Sequence, residues 1–239
     1  PALLRGGEAQ QDWLRRNRPG AVEAYDHEGL WEFKKSVWKR HPELLHHVSQ
    51  IRIQMLFELQ LSAGYAEREA RSGAEQAFAA FLKERHKVEL YEEALVVLRG
   101  LATRYTLGAL TNGNADVYKT DAGEYFDFAF LAEEIGASKP APDMFHAALQ
   151  RTGVAADSVI HVGDDPEHDI AGAQEVGMHT VWINLKGKAR KNAEHTYNLT
   201  RQLYERFLDE DRQYTMAYYR EDDPTRTSLE QAQMDKKAH

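Results

Sequence analysis

The stretch His-Val-Gly-Asp-Asp-Pro-Glu-His-Asp, residues 161–169, crowds three carboxylates, Asp164, Asp165 and Asp169, at the end of a short apolar run. Acids that close repel one another unless something positive sits among them. Donors that are all oxygen suit a hard divalent ion. Mg2+ takes one or two protein carboxylates and completes its octahedron with water and substrate phosphate. One of these aspartates would serve as a helix N-cap; a cap does not need three. Two further stretches can meet a phosphate. Thr111-Asn112-Gly113 follows the apolar run "TLGAL" and offers a hydroxyl and backbone N–H groups where the next element starts. Lys139, in "SKPAPDMF", offers a point charge on a loop stiffened by prolines. Taken singly, the first reads more simply as a capped turn and the second as a solvated surface lysine.

What positions these residues is an alternation of short apolar runs and helices from about residue 91 to 186. Apolar runs at Tyr105 to Leu110, Phe126 to Leu131, Ser158 to Val162 and His179 to Ile183 read as strands. Between and before them, Glu92 to Thr103, Pro142 to Thr152 and Glu167 to Val176 read as helices. Such a pattern predicts a parallel sheet with covered faces, and chemistry gathers at the carboxyl ends of its strands. Thr111-Asn112 and Asp164-Asp165 both fall at such ends.

Residues 1 to about 90 read as helices only. Trp13, Trp31, Phe33, Val37 and Trp38 recur at helical spacing, as do Val48, Ile51, Met55, Phe57, Leu59 and Leu61, then Ala74, Ala77, Phe78 and Phe81. These stripes are taken as core, with breaks at Arg18-Pro19-Gly20, His41-Pro42 and Ser62-Ala63-Gly64. After a basic joint at Lys186 to Lys191 the chain is polar and tyrosine-rich. It is helical in texture, with an apolar stripe at Leu199, Leu203, Phe207 and Leu208, and Ser228 and Gln231 make a capping box for a final helix.

The bulk numbers set limits on function. The chain has 239 residues, 42% hydrophobic and 28% charged, which suits one sizeable core or two small ones. A formal charge of −8 argues against non-specific nucleic-acid binding, which relies on Lys and Arg. No apolar run reaches the roughly 18 residues of a transmembrane segment, and no signal peptide is visible. Zero cysteines exclude thiolate metal sites and fit a reducing compartment, so a cytoplasmic protein handling small molecules is the expectation. No pattern speaks to oligomeric state. His46-His47 and His168 lack a third ligand at helical spacing, so surface roles are expected of them rather than zinc. There is no GxxxxGK[ST] phosphate loop.

Hydroxyl, lysine and acidic cluster, in that order at successive strand ends ("LTNGN", "SKP", "HVGDD"), resemble the haloacid dehalogenase superfamily of phosphatases over residues 1–186. Response regulators also use Asp, Thr and Lys, but their acidic pair comes first in the chain. The resemblance implies an α/β fold, a Rossmann-like parallel-sheet core at 91–186 with an inserted-type helical cap at 1–90. It implies a Mg2+-dependent hydrolase of a small phosphorylated metabolite, acting through an aspartyl-phosphate. Thr111 and Lys139 take the catalytic positions; Thr111, Asn112, Gly113 and Lys139 bind phosphate; Asp164, Asp165 and Asp169 bind the metal. It also implies an Asp-x-Asp-x-Thr nucleophile motif on a first strand before the cap. No such strand precedes the cap here, so the expectation is a sheet lacking its first strand and a chain that is inactive alone. Asp209 and Asp211 in "FLDEDRQ" have the right mutual spacing but sit in a helical stripe without the threonine.

Residues 187–239 are similar to the segment before the methyl-donor fold of cyclopropane-fatty-acid synthases, which use S-adenosylmethionine. That resemblance places Tyr197, Tyr214 and Thr215 near the cofactor, with Thr215 where the family has serine and Asn198 where it has aspartate. Two other functions follow as alternatives: a non-catalytic phosphate- or metal-binding module, and a fragment of such a synthase.

Overall fold

The first ninety residues coil into five α-helices, as their apolar spacing predicts: α1 (Ala2–Asn17), α2 (Pro19–Glu23), α3 (His27–Arg40), α4 (Val48–Ser62) and α5 (Glu67–Arg85). The computed structural model describes residues 2–24, 27–91 and 93–183. They belong to one compact unit, Pro1–Ile183; a second unit, Asn184–His239, lies outside the described residues. The tail expected from 187, with Tyr197, Tyr214, Thr215, Asp209, Asp211 and the Ser228–Gln231 box, therefore lies outside them too.

The breaks occur where the chain cannot continue a helix. Pro19 opens α2 at a position that needs no N–H donor, Pro42 starts a 3-10 turn after α3, and Gly64 ends α4 with a φ of +87°, which side-chain-bearing residues rarely adopt. The stripes on α1, α4 and α5 meet in one cluster of Leu14, Leu56, Leu59, Ala74, Ala77, Phe78 and Phe81. Small residues let these helices approach. A Cβ added to Gly73 would stand 2.0 Å from Oε1 of Gln60, a side chain with no exposure at all. Gly73→Ala is therefore expected to destabilise the chain by about 1–3 kcal/mol, despite the roughly 1 kcal/mol gained in helix propensity. A urea titration followed by tryptophan fluorescence measures this.

The α3 stripe is the exception. Val37 is fully buried, but Trp31 and Trp38 are 52% and 50% exposed, and Leu61 of α4 is also exposed. Residues 31 and 38 are seven apart and share a helix face. Periodicity identifies that face without saying which way it turns, and here it turns outward, with the Lys35 ammonium 5.2 Å from the Trp31 ring centroid.

The second half alternates as expected: α6 (Ala94–Ala102), β1 (Gly108–Thr111), β2 (Phe128–Leu131), α7 (Ala132–Ile135), α8 (Asp143–Thr152), β3 (Ile160–Gly163), a π-helical turn at Pro166–Ala171, α9 (Gly172–Glu175) and β4 (His179–Trp182). All strand pairing is parallel, so the chain is an α/β fold. The described strands form two separate pairs, β1 with β2 and β3 with β4. Peptide groups alternate in direction along a strand. Leu107 accepts from Asp127, while Val159 and Gly163 accept from His179 and Ile183, so the odd-numbered residues face their partners. Gly108 and Leu110 of β1, and Ile160 and Val162 of β3, thus turn their peptide groups to the other edge. Neither β1 nor β3 contains a buried residue, and Val162 is 52% exposed. The core here is small: Phe145, Ala173 and Met178, with Leu110, Leu149, Val159 and Val176 packed around them.

The helix expected over Glu167 to Val176 begins as the π-helical turn. The carbonyl of Asp165 accepts from the N–H groups of both Asp169 (3.0 Å) and Ile170 (3.2 Å), which widens the first turn. Asp169 and Ile170 are buried there. Among the described residues no helix is long and apolar enough to cross a membrane.

Candidate active site

β1 ends at Thr111, whose Oγ1 accepts the N–H of Gly113 at 2.9 Å. The turn is therefore capped as the simpler reading held, and the hydroxyl proton stays available to a ligand oxygen. Asn112 faces elsewhere. Its Nδ2 donates to the Lys139 carbonyl (2.8 Å) and its Oδ1 accepts from the Lys139 N–H (2.8 Å). Both halves of the amide thus clamp the loop carrying Lys139 to the end of β1. The phosphate contact predicted for Asn112 has no polar group left on that side chain except its remaining N–H and lone pair.

Lys139 is not the solvated surface lysine that its motif alone suggests. It is 8% exposed, and its Nζ donates to the Leu110 carbonyl at 2.8 Å and to Asp169 Oδ1 at 2.6 Å. Leu110 directs that carbonyl to the edge of β1 that has no strand partner among the described residues, and the ammonium links it to Asp169 beyond the end of β3. Asp169 also lies 3.3 Å from His161 Nε2, and its Oδ2 accepts the Asp165 N–H at 3.1 Å. Burial pushes the Asp169 carboxyl up, but the hydrogen bonds from His161 and Lys139 outweigh it and hold the group well below the usual carboxylate range.

The other two acids divide. Asp165 caps the π-helical turn, with Oδ1 accepting from the N–H of Glu167 (2.9 Å) and His168 (2.8 Å). Those contacts, led by the His168 N–H and reinforced by its ring, lower the Asp165 carboxyl from its ordinary value. Asp164 receives the indole N–H of Trp182 on its backbone carbonyl (3.1 Å), and its carboxylate has no hydrogen-bond partner among the described residues. The repulsion that the sequence poses is thus relieved by Lys139, by two histidines and by backbone N–H groups. Among the described residues no set of three or more His, Asp or Glu side chains is arranged around a metal position.

Thr111, Asn112, Gly113, Lys139, Asp164, Asp165 and Asp169 nevertheless all line one cavity of about 470 Å³. Beside it, the start of α4 is tied to the loops that carry the site. His46 Nδ1 lies 2.7 Å from Ser138 Oγ, and Ser49 donates to Glu133 through both its N–H (2.9 Å) and its hydroxyl (3.0 Å). His46 therefore has a structural partner, where a surface role was expected. Sequence reasoning missed Arg85, which reaches the cavity from the last turn of α5. Nothing distinguishes it in sequence from other cations at helix ends.

Residues 36–183 match the haloacid dehalogenase-like hydrolase family, and residues 185–239 match the mycolic acid cyclopropane synthetase family. A 5-amino-6-(5-phospho-D-ribitylamino)uracil phosphatase from Escherichia coli is 32% identical over 183 residues, 77% of this chain and 76% of that protein. A phosphoserine phosphatase from Thermus thermophilus is 38% identical over 132 residues, covering 51% of this chain and 50% of that one. The crystal structure of a 2-haloacid dehalogenase from Pseudomonas syringae superposes with a TM-score of 0.76 at 40% identity, covering 80% of this chain and 83% of its own.

Proposed function

Because this chain belongs to the haloacid dehalogenase-like hydrolases, we propose that it is a phosphatase of a small phosphorylated metabolite, binding phosphate through the Thr111 hydroxyl and Lys139. The observation that supports this most is the meeting of those groups in one cavity with the Asp164 carboxylate, which has no hydrogen-bond partner among the described residues. A hard oxygen donor with no protein partner suits Mg2+, which takes few protein ligands. Asp164 would hold the ion, with Asp165 and Asp169 beside it, and bound there it would neutralise phosphate charge.

Lys139 supplies the positive charge that offsets negative charge gathering on the phosphoryl oxygens. Thr111 donates its hydroxyl proton to one of them, and Asn112 holds Lys139 in place. The helices of residues 1–90 act as the cap that admits the substrate. A carboxylate in line with phosphorus completes the reaction. Its oxygen bonds to phosphorus as the ester P–O bond breaks and the alcohol leaves with a proton; water then attacks phosphorus and frees the carboxylate. The acids at hand are poorly suited to this, since Asp165 and Asp169 are held by hydrogen bonds. We place the nucleophile on a strand seated between β1 and β3, whose peptide groups at Gly108, Leu110, Ile160 and Val162 lack strand partners among the described residues.

The likeness to a 2-haloacid dehalogenase favours a second reading, hydrolysis of a carbon–halogen bond in a carboxylic acid. The Asp164 carboxylate at the cavity weighs against it, because it repels an anion unless a divalent cation intervenes. Calorimetric titration with inorganic phosphate in the presence of Mg2+ tests the phosphate site. Lys139→Ala is expected to abolish measurable binding and Thr111→Val to weaken it about tenfold, the worth of one hydrogen bond to a charged group. Unchanged phosphate affinity in both variants, with halide release from 2-chloropropionate, would favour the second reading instead.

A further inference from the structure

We propose that Arg85, backed by Arg52, forms a cap-borne subsite for an oxyanion of the substrate. This inference rests on the phosphate-site reading above. Arg85 closes the cavity from the helical side, opposite the strand ends that carry the predicted site residues. A Cβ placed on Gly113 would lie 3.2 Å from Arg85 Nη2 and 3.3 Å from Thr111 Oγ1, so the guanidinium faces the proposed phosphate loop directly.

Among the described residues, Arg85 makes no hydrogen bond and no ion pair, and its Nε is buried with no acceptor. A helix C-terminus favours a cation, but a cation serving only the helix dipole would keep its donors in water. A buried donor left unsatisfied is costly and rare in a native structure. It marks a place where an acceptor is expected to arrive.

Arg52 deepens the case. It belongs to α4, stands 4.0 Å over the Phe81 ring, and has as its polar partner the neutral Oε1 of Gln10 at 3.3 Å. Burial pushes both guanidinium groups down from their ordinary values, and Arg85 adds repulsion at Arg52. Lys34 is lowered in the same way, by burial and then by Arg52. Of these three cations Arg85 lines the cavity, and Arg52 and Lys34 stand behind it, with Arg52 close enough for its charge to be felt by Lys34 and to feel that of Arg85. Lys139, by contrast, already has Asp169 as an ion-pair partner. Among the described residues none of the three makes an ion pair, in a chain whose net charge is −8. An oxyanion would satisfy the Arg85 fork and relieve the repulsion at once. It has two possible sources with the same chemistry: the outer oxygens of the phosphoryl group, or a carboxylate on the part of the substrate that leaves.

The test is binding to the full 239-residue chain, in Mg2+, of inorganic phosphate, glycerol 3-phosphate and 3-phosphoglycerate. Arg85→Met is expected to weaken at least one of them by about 10- to 100-fold, as loss of a charge-assisted bond does. Equal weakening of all three assigns the subsite to the phosphoryl group, and weakening of 3-phosphoglycerate alone assigns it to a leaving-group carboxylate. Arg85→Lys, which keeps the charge and loses the fork, should fall between, and it decides the matter if the methionine variant does not fold. Wild-type affinity for all three ligands in a folded Arg85 variant would overturn the proposal. Failure of the wild type to bind any of them would overturn the phosphate-site reading, and this subsite with it.

Discussion

Joined at its start to a strand ending in Asp-x-Asp-x-Thr, the chain is expected to hydrolyse p-nitrophenyl phosphate at least about a thousandfold faster than the 239 residues alone. Phosphoryl transfer to a carboxylate requires an oxygen in line with the breaking bond, and effective concentration is where most of the acceleration arises. Without such an oxygen, Lys139 and Thr111 would keep their charge and hydroxyl, so electrostatic help would remain while covalent help would not. Among the described residues β1 and β3 each have a strand partner on one edge only, and both end at the cavity, so a strand seated between them and parallel to each is the expected arrangement. Its carboxyl end would then emerge beside Thr111 and Gly163, which line the cavity. The same extension should raise stability. It would cover Val162, which is 52% exposed, and pair four sets of peptide groups. Equal turnover with and without the strand, at equal Mg2+, would mean that the nucleophile lies within the 239 residues. Asp209 and Asp211 would then be the first to replace.

The order of chemistry along the chain was legible because strand ends repeat a simple grammar. Apolar residues stop, a small or hydroxylated residue turns the chain, and polar groups follow, as at Leu110-Thr111-Asn112 and Val162-Gly163-Asp164. The partners of those polar groups were not legible. Asn112 clamps the loop of Lys139 and Asp165 caps the π-helical turn, because each meets backbone groups that only the folded chain brings near. The widened turn that buries Asp169 depends on one extra bond from Ile170 to Asp165, which no spacing rule announces. Arg85 is 26 residues before Thr111 in the chain and reaches it only because α5 ends over the cavity. Trp31 and Trp38 show the same limit from the apolar side, since their period fixes a shared face and leaves its direction open.

Replacing Asp169 by asparagine is expected to cost about 3–5 kcal/mol, more than any other single change at the cavity, because it strands the buried Lys139 ammonium. Both side chains are only 9% exposed. Desolvating the pair is offset by their mutual contact and by the Leu110 carbonyl, the His161 ring and the Asp165 N–H. Remove one charge and the other keeps its full desolvation cost. Lys139→Met should therefore be destabilising too, while the double variant Lys139→Met/Asp169→Leu should recover much of the loss, since neither charge remains to be buried. Urea midpoints for the wild type, Lys139→Met, Asp169→Leu and the double variant, measured in EDTA to keep any metal out, give the coupling directly. Losses that simply add would mean that the two groups act independently and that the 2.6 Å contact contributes little. Acid provides a second readout. The folded Asp169 carboxyl is held below its unfolded value of about 3.9, so as pH falls the unfolded chain takes the proton first. The stability from this group is complete above about pH 5 and declines below pH 4 by about 1.4 kcal/mol per pH unit. Asp169→Asn should lack that component, making its urea midpoint less sensitive to acid than that of the wild type. Parallel acid profiles for the two would show that Asp169 carries no more charge stabilisation than an exposed aspartate.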